Sequence, residues 1–241
     1  NYSYTCTGSY TVGDHTIHCY GNKSHGTQNL RQAFANSCNA FYASLGMELD
    51  VDRFGQLCDK MLFNTSLPTD LQASKSSFVL EKTDGASAIM ATSIGQGQTL
   101  VTPFHMALIV SAINNDGVLM KPYVLDHVES SDGVLVEQYE PEEYGTLMST
   151  DEAAILKDYM SYVVETGTGK KLSGQSYEAA GKTGSAEYST GADSSHSWFV
   201  GYAHREDKSD IAIAVIVEKA GVGSEYAVPI AKEVFDAYYN E

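Results

Sequence analysis

No stretch of the 241-residue chain approaches the roughly 20 uninterrupted apolar residues that a membrane-spanning helix requires. The N-terminal run Asn-Tyr-Ser-Tyr-Thr-Cys has neither the basic nor the apolar part of a signal peptide, and there is no initiating Met. The chain therefore reads as a piece of something longer, with any membrane anchor or export signal lying outside it. Basic residues are also scarce. Fifteen Lys and Arg face 31 Asp and Glu, for a formal net charge of −16. A nonspecific nucleic-acid binder or an anionic-membrane binder would be repelled by such a field, and both classes are excluded.

Four cysteines are too few for a disulfide-built scaffold. Cys6 and Cys19 nevertheless bracket two β-like runs around Val12-Gly13-Asp14, and a hairpin there could bring the two thiols together. A Cys6–Cys19 disulfide, and with it an oxidising compartment, is the expectation. Free thiols are one alternative. A metal site drawn from Cys6, His15, His18, Cys19 or His25 is the other, but no Cys-x-x-Cys pair supports it and the histidine spacing is loose, so no metal or other cofactor is assigned.

What is present suits a folded protein: 43% hydrophobic and 19% charged residues can support a buried core. The length allows one large domain or two small ones. There is no internal repeat or low-complexity tract. Leu30, Phe34, Phe41 and Leu45 fall near helical spacing between a possible cap at Thr27 and a stop at Gly46. Asn36-Ser37-Cys38-Asn39 interrupts that face with turn formers, so two helices meeting at Ser37 compete with one long one. Residues Leu49 to Leu62 read as a helix and Asn64 to Ala88 as loop. Thr102-Pro103 opens a helix to about Asn114, and Val118 to Val128 reads as a strand or hairpin. Ser149-Thr150-Asp151-Glu152 has capping-box spacing before another helix. Ala180 to Glu187, Ser197 to Ala203 and Ile211 to Glu218 predict three antiparallel strands, followed by a helix from about Val228 to Tyr239.

The most informative segment is Ala180-Gly181-Lys182-Thr183-Gly184-Ser185, a cation and a hydroxyl beside glycines on a predicted strand. A phosphate loop would need a Gly where Ser176 stands and a helix directly afterwards, and neither condition is met. Lys-Thr-Gly also belongs, with Ser-x-Asn and Ser-x-x-Lys, to the motif set of β-lactamases and penicillin-binding proteins. Ser37-Cys38-Asn39 supplies Ser-x-Asn upstream, in the required order. Gly95-Gln96-Gly97 before Leu100-Val101-Thr102-Pro103, Asn115-Asp116-Gly117 before Lys121-Pro122, and Val164-Glu165-Thr166-Gly167-Thr168-Gly169 extend the match, as does Trp198-Phe199-Val200-Gly201-Tyr202 on the next strand.

On these motifs the chain resembles the C-terminal part of a penicillin-binding protein transpeptidase domain, over essentially residues 1–241 as a single domain. The resemblance implies an α+β fold of the β-lactamase/transpeptidase-like type, with an antiparallel sheet flanked by helices and the N-terminal portion missing. It implies a peptidoglycan D,D-transpeptidase working through an acyl-serine intermediate on the extracytoplasmic face of the bacterial membrane. Its partners would be stem peptides ending in D-alanyl-D-alanine and β-lactam antibiotics, with no nucleic acid and no membrane contact except through an anchor outside this chain. No Ser here has Lys three positions later, so the nucleophile is expected upstream of Asn1 and the isolated chain is expected to be inactive. Lys182 and Thr183 would hold the substrate carboxylate, Gly184 would admit a substrate backbone, and Ser185 N–H would form half of an oxyanion hole. Ser37 would relay a proton to the leaving amine, while Asn39 would orient the missing Lys and the substrate amide. A D,D-carboxypeptidase or β-lactamase, and a non-catalytic β-lactam sensor or wall-binding module, are the alternatives. Cys38 is expected to pack as a small apolar side chain, Trp198 to lie in the core, and His105 and His127 have no role.

Overall fold

The computed structural model describes residues 2–188 and 195–240. The N-terminal region holds β1 (Ser3–Cys6), β2 (Ser9–Val12), β3 (His15–His18) and β4 (Gly26–Asn29). β2 and β3 form the expected hairpin, and β1 pairs antiparallel with β4, with Cys6 opposite Gly26. Then come α1 (Leu30–Asn36), α2 (Asn39–Gly46), α3 (Val51–Lys60), α4 (Ala86–Ser93) and α5 (Pro103–Asn114). The middle strands are β5 (Val118–Met120), β6 (His127–Glu129), β7 (Leu135–Gln138) and β8 (Glu143–Thr146). The chain ends with α6 (Thr150–Thr166), β9 (Glu178–Glu187), β10 (Ser195–Arg205), β11 (Lys208–Val217) and α7 (Ala227–Asn240).

The main sheet is antiparallel, in the order β11-β10-β9, with β9 at the edge among the described residues. Alternation along the strands splits the core in two. Ala180, Val200, Tyr202 and Ala212 face α5 and α6, packing with Leu108, Val110, Met160 and Phe34. Phe199, Ala203, Ile211 and Ile213 face the other way, onto Val228, Ala231, Phe235 and Tyr239 of α7. Gly181 and Gly201 leave room for the Phe199 ring, which any Cβ at either position would strike. This is an α+β fold with helices on both faces of the sheet.

Local signals account for most helix ends. Ser149 and Glu152 form the expected capping box at α6, and Pro103 occupies the first turn of α5 behind a Thr102 cap. Three readings need correction. Asn29, not Thr27, caps α1: its side chain accepts from Gln32 N–H at 3.0 Å and Gln32 reciprocates, while Thr27 lies in β4. Residues Val118 to Val128 do not form a hairpin, because β5 pairs with β8 and β6 with β7. The predicted loop ends at α4, whose Ala-rich sequence lacks a polar face that periodicity could detect.

Candidate active site

α1 and α2 are separate helices joined by Ser37 and Cys38. Its φ of 51° and ψ of 50° place it in the left-handed region. Cys38 N–H reaches back to Ala33 O at 3.0 Å and Ser37 N–H to Phe34 O at 3.2 Å, which is a Schellman closure with serine at the position glycine usually takes. The closure turns the Ser37 side chain out of both helices. α1 is itself held from outside. Arg31 donates to both carboxylate oxygens of Asp158 on α6, at 2.6 and 2.8 Å, holding that carboxyl below its ordinary range.

Lys182 projects from β9 toward this turn. Its Nζ donates to Ser37 Oγ at 2.9 Å and to Thr183 O at 2.7 Å, and sits 5.7 Å from the centre of the Phe34 ring. No carboxylate among the described residues pairs with it. Burial among protein atoms brings its pKa down to about 8, although the residue retains part of its solvent exposure. An ammonium in this setting gives up its proton far more readily than a solvated lysine.

The next residues of β9 use their main chain at the open edge. Thr183 O accepts from Lys182, and Ser185 O accepts from Gln96 Nε2 at 3.1 Å. In a strand the N–H and C=O of one residue point to the same side, so the main-chain groups of Thr183 and Ser185 face away from β10. The Thr183 hydroxyl is nearly buried and meets the Thr168 hydroxyl at 2.5 Å. Ser185 Oγ accepts from Gly223 N–H at 3.2 Å. A Cβ at Gly223 would lie 2.6 Å from Gly184 O, so this glycine lets its loop press against the strand. Trp198 is half-buried beside Gly184.

The structure thus brings Ser37, Lys182, Thr183, Gly184 and Ser185 to one strand edge. Asn39 Nδ2 donates to His18 O at 2.9 Å, tying α2 to β3. Two side chains join the site that had been given no role, Thr168 and Gln96. Both lie in the stretches that resembled the family, yet nothing in their spacing says that they reach β9. The expected Cys6–Cys19 disulfide is not formed. The sulfurs are 3.6 Å apart, against about 2.05 Å for a bond, and Cys38 and His25 crowd the same point. Cys38 is buried as expected, but among thiols more than among hydrocarbon.

Lys-Thr-Gly at an open strand edge against a Ser-x-Asn turn is the motif pairing of β-lactamases and penicillin-binding proteins. The sequence matches the family described as penicillin binding protein transpeptidase domain over residues 1–238, and the chain belongs to that family. It is 31% identical over 227 residues to peptidoglycan D,D-transpeptidase PbpA of Mycolicibacterium smegmatis, covering 89% of this chain and 45% of that protein. It is similar to the penicillin G acyl-enzyme complex of penicillin-binding protein A from M. tuberculosis, at a TM-score of 0.84 and 26% identity, over 98% of this chain and 55% of that one. The D,D-transpeptidase domain of a peptidoglycan glycosyltransferase from Eggerthella lenta gives a TM-score of 0.83 at 26% identity, over 99% of this chain and 60% of that one. The chain spans less than half the length of the D,D-transpeptidase relatives it matches and 55–60% of the two solved chains. No helix among the described residues is long and apolar enough to cross a membrane.

Proposed function

We propose that this chain is the C-terminal part of a single D,D-transpeptidase domain that cross-links peptidoglycan through an acyl-serine intermediate, with the nucleophile on a Ser-x-x-Lys segment upstream of Asn1. The observation that carries the reading is the 2.9 Å contact between Lys182 Nζ and Ser37 Oγ at the open edge of β9. Expulsion of D-alanine from a D-alanyl-D-alanine terminus requires a proton on the leaving amine. Ser37 Oγ is a hydroxyl that can give one up and recover it from Lys182, whose lowered pKa suits the exchange. The substrate carboxylate would meet the Lys182 cation and the Thr183–Thr168 hydroxyl pair. The substrate main chain would add along β9, where the Thr183 and Ser185 main-chain groups face outward, and Ser185 N–H would supply half of the oxyanion hole. β-lactams, which acylate the same kind of serine, are the expected inhibitors, and the extracytoplasmic face of the membrane the expected location.

The test is covalent labelling by a fluorescent penicillin. The full-length protein is expected to form a stoichiometric adduct that survives denaturation, Ser37→Ala and Lys182→Ala to form it far more slowly, and the 241-residue chain alone to form none. An adduct on the isolated chain would place the nucleophile inside it and overturn the assignment. Transfer of the acyl group to an amine acceptor rather than water separates a transpeptidase from a carboxypeptidase or β-lactamase.

A further inference from the structure

Directly behind Ser37, four side chains from four separate segments converge. Cys6 ends β1, Cys19 follows β3, His25 precedes β4, and Cys38 stands at the N-terminus of α2. Cys6 Sγ and Cys19 Sγ are 3.6 Å apart, Cys19 Sγ and Cys38 Sγ 3.7 Å, and Cys6 Sγ and His25 Nδ1 3.5 Å. All four donor atoms lie within 4.8 Å of one another. We propose that Cys6, Cys19, His25 and Cys38 bind one zinc ion as a closed structural site.

Geometry is the first argument. A tetrahedral zinc with Zn–S of about 2.3 Å and Zn–N of about 2.0–2.1 Å has S···S edges of about 3.8 Å and S···N edges of about 3.5 Å. Three of the six edges match to about 0.2 Å and the others are no longer than 4.8 Å, so the donors need to close by at most about 1 Å to take up the ion. The surroundings are the second argument. Gly8 N–H points at Cys6 Sγ at 3.4 Å and Ala40 N–H at Cys19 Sγ at 3.5 Å, and such donors favour sulfur as thiolate. Neither contact is needed to bury a thiol. The third argument is what the cluster replaces. Of the six buried residues in the core of this lobe, three are these cysteines and two are alanines, leaving Phe41 as the one large apolar side chain. Tyr2, Tyr4, Tyr10, Leu30, Tyr42 and Leu45 pack around this centre only partly buried, so a metal cross-link would tie the lobe together at the point where its fully buried apolar side chains are small.

The competing arrangements fit less well. A disulfide uses two of the three adjacent thiols and leaves the third thiol and the His25 imidazole unused. Simple packing leaves three thiols and an imidazole nitrogen joined only by weak thiol hydrogen bonds. Thiolate and imidazole donors select zinc over magnesium or calcium, and four protein ligands leave no open position for a reacting water. On binding, the three thiols release three protons to solvent, and Zn²⁺ with three thiolates carries a net charge of −1. Because Cys38 follows Ser37, the ion would fasten the peptide that sets the Ser37 conformation. The inference does not depend on the transpeptidase reading.

The test uses the full-length protein expressed with zinc, and the same protein loaded with cobalt(II). About one zinc per chain is expected, released as a thiol-specific mercurial titrates three thiols, and cobalt is expected to give the intense visible absorption of a tetrahedral thiolate site. Cys19→Ser carries a risk of misfolding, so His25 offers the cleaner comparison: His25→Ala should weaken zinc binding roughly tenfold or more, and His25→Cys should keep it. Cys58→Ser, at a cysteine in α3 outside the cluster, should change nothing. Protein free of zinc after expression in its presence would overturn the proposal. So would a Cys6–Cys19 disulfide in unreduced peptide maps, or equal zinc loss in Cys58→Ser.

Discussion

Gly167 packs so closely on Ala35 that any Cβ there would overlap the Ala35 carbonyl oxygen, which also accepts Thr168 N–H at 3.2 Å. The end of α6 is thus fitted to the last turn of α1, one residue pair short of Ser37. Thr168, held by this contact, meets Thr183.

Gly167→Ala should therefore displace α1 from the Gly167-Thr168 segment. Overpacking at such a contact costs about 1–3 kcal/mol. The thermal midpoint should fall, and penicillin acylation of the full-length protein should slow beyond what the lost folded fraction explains. Gly85→Ala is the control. Its Cβ would meet nothing within 4 Å and its φ of −77° is ordinary, so only the small cost of replacing glycine at a helix N-cap should appear.

Ser37 combines a hydroxyl with a left-handed backbone, a conformation that costs a non-glycine residue about 1–2 kcal/mol. Ser37→Gly is expected to match or exceed wild type in thermal midpoint, and Ser37→Ala to fall below it, having lost the Lys182 contact while keeping the strain. Both should lose roughly 10²–10⁴ in acylation rate if the hydroxyl carries a proton. A Ser37→Gly protein that acylates normally would leave Ser37 as a helix terminator only.

Lys182→Ala should lower the acylation rate by one to two orders of magnitude, from loss of a charge-assisted contact worth about 1.5–3 kcal/mol. Lys182→Arg should recover only part of it, because the planar guanidinium cannot occupy the ammonium's position between Ser37 Oγ and Thr183 O. Stability gives an independent check. The folded pKa lies at about 8, below the ordinary 10.5, so between these values the unfolded chain holds more protons and stability rises with pH. The cost of burying the cation is complete below pH about 8 and is relieved toward about 10.5. Relative to Lys182→Met, the wild-type thermal midpoint should gain across that window. A constant difference would show a solvated lysine.

His105 is fully buried in α5, donates from Nε2 to Met61 O at 2.6 Å, and leaves Nδ1 without a partner. Burial lowers its pKa from 6.5. The unfolded chain then takes up the proton first as pH falls, so stability present above pH about 6.5 should decline below it until the folded pKa is reached. His105→Gln should flatten this part of the pH profile of the thermal midpoint, which calorimetry between pH 7.5 and 5 would reveal.

The parts of the fold that sequence reading reached are those with local causes. The Ser149–Glu152 capping box and Pro103 at the head of α5 each act within a few residues. Thr27 is drawn into β4 by pairing with β1, the partner of β5 is a distant strand, and α4 has no polar face for periodicity to reveal. The site divides the same way. Lys182 and Ser37 were singled out by motif order, but the reach of Thr168 and Gln96 to β9 arises from packing. So does the meeting of His25 and Cys38 with Cys6 and Cys19: their spacing follows no metal motif, because strand pairing and the Ser37 turn create the convergence.

The outward-facing main chain of β9 also bears on how this protein could change under antibiotic selection. Carbonyl and amide groups at Thr183 and Ser185 are common to every residue type except proline, so no point substitution other than one to proline deletes them. An escape variant that discriminates a drug from a stem peptide must instead shift the strand bodily, through its supports at Gly223, Gln96 and Thr168, or act on the few side chains that touch the ligand. Resistance would accordingly appear at residues that brace the edge, and it would also weaken binding of the stem peptide proposed to add along that edge.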